Sequence, residues 1–380
     1  MHQGKNNKTL NGRDISYNLP LNRRTIDHGL FTPQTERNHV HGACKASGVH
    51  VHKWDSTTYP KGFHMQAHNG GGAGGGGGGG GGSDLVGESV TYTMIDQKEL
   101  DRIYDHVLKL TIESGKVIRE AIERSNKKIE TKAGDWDLVT EYDKKVEKIL
   151  IDNLAKEFPK HKFIGEETVS TTKCLPELTD APTWIIDPID GTTNFVHSFP
   201  FTCISIALSV NKELQLGIVY NPALEQLFTA KKGHGAFLNG KPIKCSNTKD
   251  LEHSLLCLET SFAIIEDIRD IVLGRLEAFV TIAHGIRTMG SAALSLCYVA
   301  MGAIEGYHSD NLMPWDVAAG VLIIQEAGGT VIDTNGGEFK IIAPKVVAVG
   351  NAKLGNDLVK LIKHADSKTH LRRSMLKAAT

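Results

Sequence analysis

Apolar side chains recur at helical spacing in two segments that begin near residue 100. In the first, from about Glu99 to Ser125, apolar positions fall three and four residues apart, as on one face of an amphipathic α-helix. The second follows Thr140, whose hydroxyl is suited to capping a helix N-terminus, and keeps this spacing up to Phe158, just before Pro159. The pattern therefore predicts two long amphipathic helices.

The pattern changes after Pro159 to short apolar runs, which are typical of β-strands. Such runs occupy Lys162–Ile164, Trp184–Ile186, Ile204–Val210, Leu216–Tyr220 and Gln226–Ala230. Beyond Ser254, strand-like and helical runs alternate. The strand-like runs are Leu255–Leu258, Val331–Asp333 and Val346–Val349, and the helical ones are Ile264–Phe279, Ala292–Met301, Trp315–Ala327 and Leu354–His364. This alternation predicts sheets layered with helices.

Neither the helical nor the strand spacing of apolar residues appears at the two ends of the chain. Residues 1–93 are rich in Asn, His, Gly and Thr and end in a glycine run, Gly70 to Gly82, that only Ala73 interrupts. Because ordering such a sequence costs much conformational freedom, we expect a disordered leader joined by a flexible tether to an ordered domain over residues 94–365. The histidines of the leader match no metal-ligand spacing. Residues 366–380 are polar and basic, and we expect a frayed tail from Lys363 onward.

Composition argues against several classes of function. Lys and Arg number 43 against 44 Asp and Glu, so the formal charge of −1 provides no general positive field for nucleic acid or an anionic membrane. No stretch approaches the roughly 18 apolar residues of a spanning helix, and the start of the chain lacks a secretory signal, which favours a cytoplasmic protein. The six cysteines are dispersed without a CxxC pair, which argues against a disulfide framework or a zinc site.

Two carboxylates follow an apolar strand in the segment Trp184–Asn194. Asp187 and Asp190 lie on either side of Pro-Ile and precede Gly-Thr-Thr at Gly191–Thr193. The carboxyl end of a strand is the usual place for ligands in layered α/β structures, and a helix that opens after the glycine would point free N–H groups at an anion. A metal and a phosphate could therefore meet here, although capping of a turn would also explain the two acids.

Three other segments carry acids near the ends of predicted elements. Glu166 and Glu167 follow an apolar run, Asp316 heads an apolar helix, and Asp137 and Asp143 flank the start of the second helix. Singly, each could be a first-turn or surface acid. Together they are hard oxygen ligands without a His or Cys cluster, which favours Mg²⁺ or Mn²⁺ over Zn²⁺. Carboxylates crowded into one cleft repel one another unless divalent cations neutralise them.

These segments, in this order and spacing, resemble the inositol monophosphatase family. The resemblance covers about Glu99 to His364 and rests on WIIDPIDGTTNFVHSFPF (Trp184–Phe201), GEE (Gly165–Glu167), DLVTEYD (Asp137–Asp143), HGIRTMGSAA (His284–Ala293) and PWDVAAG (Pro314–Gly320). It implies an α/β/α/β/α layered sandwich that forms a homodimer. It also implies lithium-sensitive, Mg²⁺-dependent hydrolysis of a small phosphomonoester without a phosphoenzyme, with inositol monophosphate the favoured substrate.

The resemblance further implies roles for individual residues. One Mg²⁺ would be held by Glu166, Asp187 and the carbonyl of Ile189, a second by Asp187, Asp190 and Asp316, and a weaker third ion near Glu166. Thr192, hydrogen-bonded to Asp143, would orient the attacking water, with Glu167 in a catalytic part and Lys132 in a supporting one. The residues implied in phosphate or substrate binding are Gly191, Thr192, Thr193, Asp190, Gly290, Ala292, Ser309 and Asp316.

One position departs from the family pattern. A family glutamate, seven residues before the acid of the Trp-Asp pair, corresponds to Ser309, and the neighbouring Asp310 could replace it only if the loop shifts. This departure leaves other substrates open, namely another sugar phosphate or a nucleotide phosphate. A non-catalytic metal-binding scaffold is a further alternative, which the retained acids disfavour.

Overall fold

The computed structural model describes residues 52–53, 95–124, 127–132 and 138–379. The glycine run, most of the predicted leader and Asp137 lie outside these residues. Within the predicted leader, His52–Lys53 form strand β1, which pairs antiparallel with β5 at Cys174–Leu175.

Two amphipathic helices form the first layer. Helix α1 spans Gln97–Ile122 and α2 spans Glu141–Glu157, close to the predicted ends. Thr140 caps α2 as predicted, because its hydroxyl accepts from a backbone N–H of the first turn. The apolar stripes of both helices share one buried cluster with the facing sheet. Between the helices, β2 (Ile129–Thr131) and β3 (Leu138–Thr140) form an antiparallel pair.

A seven-stranded sheet forms the second layer. Its strands are β4 (Lys162–Gly165), β6 (Thr183–Asp190), β7 (Cys203–Val210), β8 (Glu213–Asn221), β9 (Gln226–Lys231), β10 (Ala236–Leu238) and β11 (Lys241–Pro242). They are ordered β11-β10-β9-β8-β7-β6-β4, and β4 pairs parallel with β6 whereas the other neighbours pair antiparallel. Short helices α3 (Glu166–Thr172) and α4 (Thr192–Val196) follow β4 and β6. Because β4 and β6 are parallel, both helices begin at the same edge of the sheet.

The third layer consists of α6 (Ala292–Ala300) and α7 (Pro314–Glu326). Most residues of both helices are buried, as expected for helices covered by a sheet on each side. Gly217 in β8 permits the close approach of α7, because a Cβ at that position would lie 2.7 Å from the carbonyl oxygen of Ala319.

A five-stranded sheet and two outer helices complete the fold. The strands are β12 (Leu255–Leu258), β13 (Gly285–Arg287), β14 (Gly306–Ser309), β15 (Thr330–Ile332) and β16 (Val346–Val349). They are ordered β13-β12-β14-β16-β15, with β12 parallel to both of its neighbours. Helices α5 (Glu266–Val280) and α8 (Ala352–Ala379) cover the outer face, and short 3-10 turns lie at Leu251–His253 and Ser261–Ile264. The layers follow the α/β/α/β/α order that the resemblance implied.

Helix α8 continues to Ala379, so the prediction of a frayed tail from Lys363 is wrong. Its additional turns pack on α5. A Cβ at Gly274 of α5 would overlap the Thr369 hydroxyl, so the glycine admits this close contact. Arg275 of α5 donates to both carboxylate oxygens of Asp366, at 2.7 and 2.8 Å. These contacts order a segment whose polar composition alone predicted fraying.

Candidate metal and phosphate site

The two carboxylates of the Asp-Pro-Ile-Asp segment lie at the buried end of β6. All 8 residues of β6 are buried, and its pairing with β7 is irregular between Asp187 and Asp190. Residues three apart on a regular strand point to opposite faces, so this irregularity is what allows the two side chains to converge. The N–H of Ile189 donates to Asp187 Oδ1 at 3.0 Å and fixes that carboxylate against its own turn.

Asp316 joins these carboxylates from the third layer. It lies in the first turn of α7, and its Oδ2 accepts from the N–H of Met313 at 2.6 Å, which anchors the carboxylate at the helix N-terminus. Asp187, Asp190 and Asp316, called here the acid trio, each offer an oxygen, and these oxygens lie within 4.8 Å of one another. The structure thus brings together three of the four carboxylates predicted to bind metal.

Burial and mutual repulsion raise the pKa values of the acid trio. For Asp187, loss of hydration is the largest cause, followed by repulsion from Glu166, Asp190 and Asp316, and its pKa lies well above the ordinary value. Burial and then Asp190 raise the pKa of Asp316 in the same direction. Burial raises the pKa of Asp190 to about 6, although hydrogen bonds from the start of α6 offset part of the rise. Ionising the trio therefore places strongly repelling charges in a buried site.

The N-terminus of α6 holds Asp190. The Ser291 hydroxyl and the N–H of Ala293, at 2.8 Å, both donate to Asp190 Oδ2, and the N–H of Ala292 lies 3.3 Å from Oδ1. Ala292, predicted to contact substrate, is thereby placed beside the acid trio. Ser291 was not among the predicted site residues, although it lies between the predicted Gly290 and Ala292. Its signal is a serine directly before an apolar helix, the position of an N-cap.

Glu166, whose charge acts on every member of the acid trio, shares one lysine with Glu167. Lys132 Nζ donates to Glu166 Oε1 at 2.6 Å and to Glu167 Oε1 at 2.7 Å, and the three side chains are largely buried. Burial alone would lower the pKa of Lys132, but the two carboxylates outweigh it and raise that pKa. Burial and the charge of Glu166 raise the pKa of Glu167 to about 8. One lysine shared by two acids leaves the site acidic.

Thr192 connects the start of α4 with the start of α2. Its hydroxyl lies 3.3 Å from Asp143 Oδ1 and 3.1 Å from the carbonyl oxygen of Ile189, and it can donate to either. Asp143 is fully buried, and its Oδ2 accepts from the N–H of Thr140 at 2.8 Å. Burial is the largest influence and raises the pKa of Asp143 to about 6 in spite of its hydrogen bonds. The predicted pairing of Thr192 with Asp143 is thus present in the structure.

Two glycines allow the end of β6 to lie close to the start of α6. Gly191 has a φ of 83°, and a Cβ there would lie 2.9 Å from the carbonyl oxygen of Gly290. Gly290 has a φ of 73°, and its Cβ would lie 3.0 Å from Asn194 Nδ2. Both backbone conformation and space therefore require glycine. Thr192 and Thr193 open α4 at this corner, where the first N–H groups of a helix have no partner within the helix.

Ser309 ends β14, and the neighbouring Asp310 already has partners. Ser309 is 3 % exposed, and its hydroxyl donates to the carbonyl oxygen of Asp310 at 3.0 Å. The Asp310 carboxylate accepts from Arg275 and from the Thr334 hydroxyl, both at 2.6 Å. Burial acts to raise the pKa of Asp310, but His308 and Arg275 outweigh it and lower that pKa. Asp310 could therefore replace the missing glutamate only by giving up these contacts.

A divalent cation fits this arrangement. The trio offers carboxylate oxygens, the hard ligands that Mg²⁺ and Mn²⁺ prefer. Crowding them in a buried site is unfavourable unless a cation compensates, and Lys132 is already engaged by Glu166 and Glu167. The acid trio could therefore hold a metal ion.

Comparison with known proteins shows the family of this chain. The profile of the inositol monophosphatase family matches residues 99–367. The chain belongs to the inositol monophosphatase family. Inositol monophosphatase 1 of Bos taurus is 42 % identical over 259 residues, which are 68 % of this chain and 93 % of that protein. Inositol monophosphatase 3 of Solanum lycopersicum is 43 % identical over 270 residues, 71 % of this chain and 99 % of that protein.

Solved structures of this family share the fold. An IMPase of Thermotoga maritima matches with a TM-score of 0.63 and 33 % identity, covering 71 % of this chain and 99 % of that one. The extragenic suppressor protein suhB of Bartonella henselae matches with a TM-score of 0.62 and 34 % identity, covering 69 % and 98 %. The predictions of the family and of the layered fold are confirmed, and the chain is a phosphoric monoester hydrolase. No helix in the described part of the chain has the length and apolar character needed to cross a bilayer.

Proposed function

We propose that this member of the inositol monophosphatase family hydrolyses inositol monophosphate to inositol and phosphate, and that it does so with Mg²⁺. The acid trio carries the proposal, because two buried carboxylates from β6 and a partly buried one from α7 offer oxygens within 4.8 Å of one another. Such a set is suited to a cation that in turn attracts a phosphate. The names of its relatives, inositol monophosphatases from mammals and plants, support the choice of substrate.

Residues of two layers would hold the metal. We assign Glu166, Asp187 and the carbonyl of Ile189 to one Mg²⁺, and Asp187, Asp190 and Asp316 to a second, with a weaker third ion near Glu166. Bound Mg²⁺ would stabilise charge on the phosphoryl oxygens and lower the pKa of a water molecule. The carboxylates serve this role only when ionised, so metal binding and proton release are coupled.

The chain's own groups would orient the phosphate and the water. We assign the N–H groups of Gly191, Thr192 and Thr193 to the phosphate, since donors at a helix start suit an anion. The Thr192 hydroxyl would accept a hydrogen bond from the attacking water and pass its own proton toward Asp143, 3.3 Å away. With a pKa of about 6, Asp143 is mostly ionised near neutral pH and can accept that proton. No phosphoenzyme forms in this scheme.

The remaining assignments concern the alcohol and the surroundings of the metal. Gly290, Ala292 and Ser309 would face the alcohol part of the substrate. Lys132 would support the site by binding Glu166 and Glu167 together, at 2.6 and 2.7 Å. We keep Glu167 with the catalytic residues, because its pKa of about 8 lets it exchange a proton near neutral pH. We further propose a cytoplasmic homodimer that Li⁺ inhibits, and indifference to millimolar Li⁺ would count against this part.

A broader range of small phosphomonoesters is the second candidate. One observation favours it: Ser309 replaces a glutamate of the family pattern, and Asp310 is held by Arg275 and Thr334. A carboxylate that could accept hydrogen bonds from a polyol is then missing on this side. Because the metal and the start of α4 would bind only the phosphoryl group, discrimination among alcohols should relax while hydrolysis persists.

A phosphate-release assay tests the proposal. The purified full-length chain is incubated with inositol 1-phosphate, glycerol 2-phosphate, a sugar 1-phosphate and a nucleoside 3′-phosphate, each with Mg²⁺ and with a chelator. We expect release that requires Mg²⁺ and is fastest with inositol 1-phosphate. No release from any of these esters would contradict the proposal and favour the scaffold alternative, and release that persists in the chelator would contradict the metal's role.

A further inference from the structure

Glu147 is a buried carboxylate that the mechanism above does not use. It lies in the middle of α2 and is 4 % exposed. It follows Asp143 by four residues, so both side chains project from the same face of the helix. Asp143 contacts Thr192 at the start of α4, whereas Glu147 contacts the start of α3. One face of α2 therefore reaches both short helices that begin at this edge of the sheet.

Three hydrogen bonds connect Glu147 with the first turn of α3. Its Oε2 accepts from the N–H of Glu167 at 2.7 Å. Its Oε1 accepts from the N–H of Thr168 at 2.8 Å and from the Thr168 hydroxyl at 2.6 Å. Gly165 occupies the N-cap position of α3 and has no side chain with which to satisfy these donors. Glu147 thus supplies from another helix the cap that the local sequence lacks.

The fit around this carboxylate leaves little room. A Cβ on Gly165 would lie 2.7 Å from Glu147 Oε2 and 2.8 Å from its Cδ, closer than these atoms can approach. The Glu147 carboxylate can therefore approach the backbone here only because residue 165 is a glycine. The contact fixes the backbone at the end of β4. Glu166 and Glu167, whose side chains bind Lys132, follow directly.

The capping group at this place is a carboxylate, which adds a buried acid beside two others. Glu166 and Glu167 are already acidic, and a neutral serine or asparagine caps a helix without adding another buried charge. A carboxylate offers two oxygens, each of which here binds a different backbone N–H, and such charge-assisted bonds are short and directional. Glu147 can therefore restrain two consecutive residues together, including the one next to Glu166.

We propose that Glu147 is a positioning residue that sets Glu166 and Glu167 in the orientation needed to bind Mg²⁺ beside the acid trio. The inference rests on the proposed function, since Glu166 is assigned there to a metal. Glu147 touches neither the substrate nor the metal in this scheme. It acts through the backbone of α3, and Lys132 acts on the side chains of the same two acids.

Magnesium binding tests this role apart from turnover. The variant is Glu147→Gln, whose amide group would point a donor at a backbone N–H. The matched control is Glu157→Gln on the same helix, where the side chain is 40 % exposed and pairs with Arg102. Calorimetric titration of the metal-free protein with Mg²⁺, the Mg²⁺ dependence of phosphate release and the melting temperature are measured for each protein.

We expect Glu147→Gln to weaken Mg²⁺ binding by roughly 10- to 100-fold, the usual effect of removing a group that orients a metal ligand. Phosphate release should then need correspondingly more Mg²⁺, while Glu157→Gln matches the wild type in both assays. A lower melting temperature with wild-type Mg²⁺ affinity would overturn the inference, because Glu147 would then be only a helix cap. A wild-type protein that neither binds Mg²⁺ nor releases phosphate would overturn the proposed function instead.

A second variant covers the case in which Glu147→Gln does not fold. Thr168→Val removes one of the three hydrogen bonds to Glu147, the 2.6 Å contact of the hydroxyl, and leaves the carboxylate in place. It should lower Mg²⁺ affinity in the same direction but by less than the loss of the carboxylate. Unchanged affinity in a folded Thr168→Val variant, together with an unfolded Glu147→Gln, would overturn the positioning role.

Discussion

Replacing Arg275 by leucine should destabilise the sheet that carries the loop between Ser309 and Asp316. The Arg275 side chain is 11 % exposed and joins two acids: Asp310 at 2.6 Å and both oxygens of Asp366 at 2.7 and 2.8 Å. The leucine variant would leave two partly buried carboxylates without their cation. It would also disconnect α8 from the loop that follows β14.

The size of the effect follows from burial. Breaking a buried ion pair by removing one partner costs about 3–5 kcal/mol. Because the Asp366 side chain is 26 % exposed, solvent would screen part of its charge, and we expect about 3 kcal/mol in the free energy of unfolding at neutral pH. The assay is urea denaturation followed by circular dichroism. The control is Arg373→Leu, which removes the partner of Asp270, whose side chain is 57 % exposed, and should cost less than about 1 kcal/mol.

The pH dependence gives an independent check of the same ion pairs. The folded-state pKa of Asp310 is lowered, so its stabilising contribution is present above the ordinary pKa and is lost as the pH falls through the folded value. The difference in unfolding free energy between wild type and Arg275→Leu should therefore shrink as the pH falls below 3.8, the ordinary pKa of the aspartate. An Arg275→Leu variant as stable as Arg373→Leu at neutral pH would refute the reasoning.

Three further predictions concern the acids, the leader and the substrate. In a chelator the melting temperature should rise as the pH falls from about 8 to 6. The raised pKa values of the trio let the folded state bind more protons than the unfolded chain in this range. A melting temperature that does not change with pH would argue against repulsion within the trio. Deleting residues 1–93, which include the two-residue strand β1, should leave turnover and melting temperature almost unchanged, and a large loss of either would show that the leader stabilises the ordered domain. Ser309→Glu should raise kcat/KM for inositol 1-phosphate relative to glycerol 2-phosphate by about 10- to 100-fold, since a charge-assisted hydrogen bond contributes about 1.5–3 kcal/mol. An unchanged ratio would mean that another group already fills this role.

Local signals in the sequence were enough for the elements that depend on local chemistry. The caps and apolar stripes of α1 and α2 lie within the segments themselves, so their prediction was close. Strand β14 was missed because Gly306–Ser309 contains no aliphatic residue, and its place in the sheet comes from β12 and β16. The prediction of fraying after Lys363 was wrong for a similar reason, because contacts with α5 hold the last turns of α8.

The site was predictable only where a resemblance supplied long-range information. Residue spacing placed Asp187 and Asp190 at a strand end, but nothing in the spacing shows that Asp316 approaches them from another layer. The contacts that hold these acids were missed altogether. Ser291 and Glu147 bind residues distant in sequence, and nothing in the local sequence distinguishes them from a serine at an ordinary helix cap or a glutamate on a helix surface.

The turnover of Asp190→Asn at saturating Mg²⁺ tests the central claim most directly. Asparagine keeps the shape of the side chain and an oxygen that can accept from Ser291, so the fold should persist, whereas the trio loses one charged ligand. We predict that kcat for inositol 1-phosphate falls by at least about 100-fold while the melting temperature in a chelator stays near that of the wild type. A folded Asp190→Asn variant that turns over close to the wild-type rate would contradict the claim that the acid trio carries the reaction.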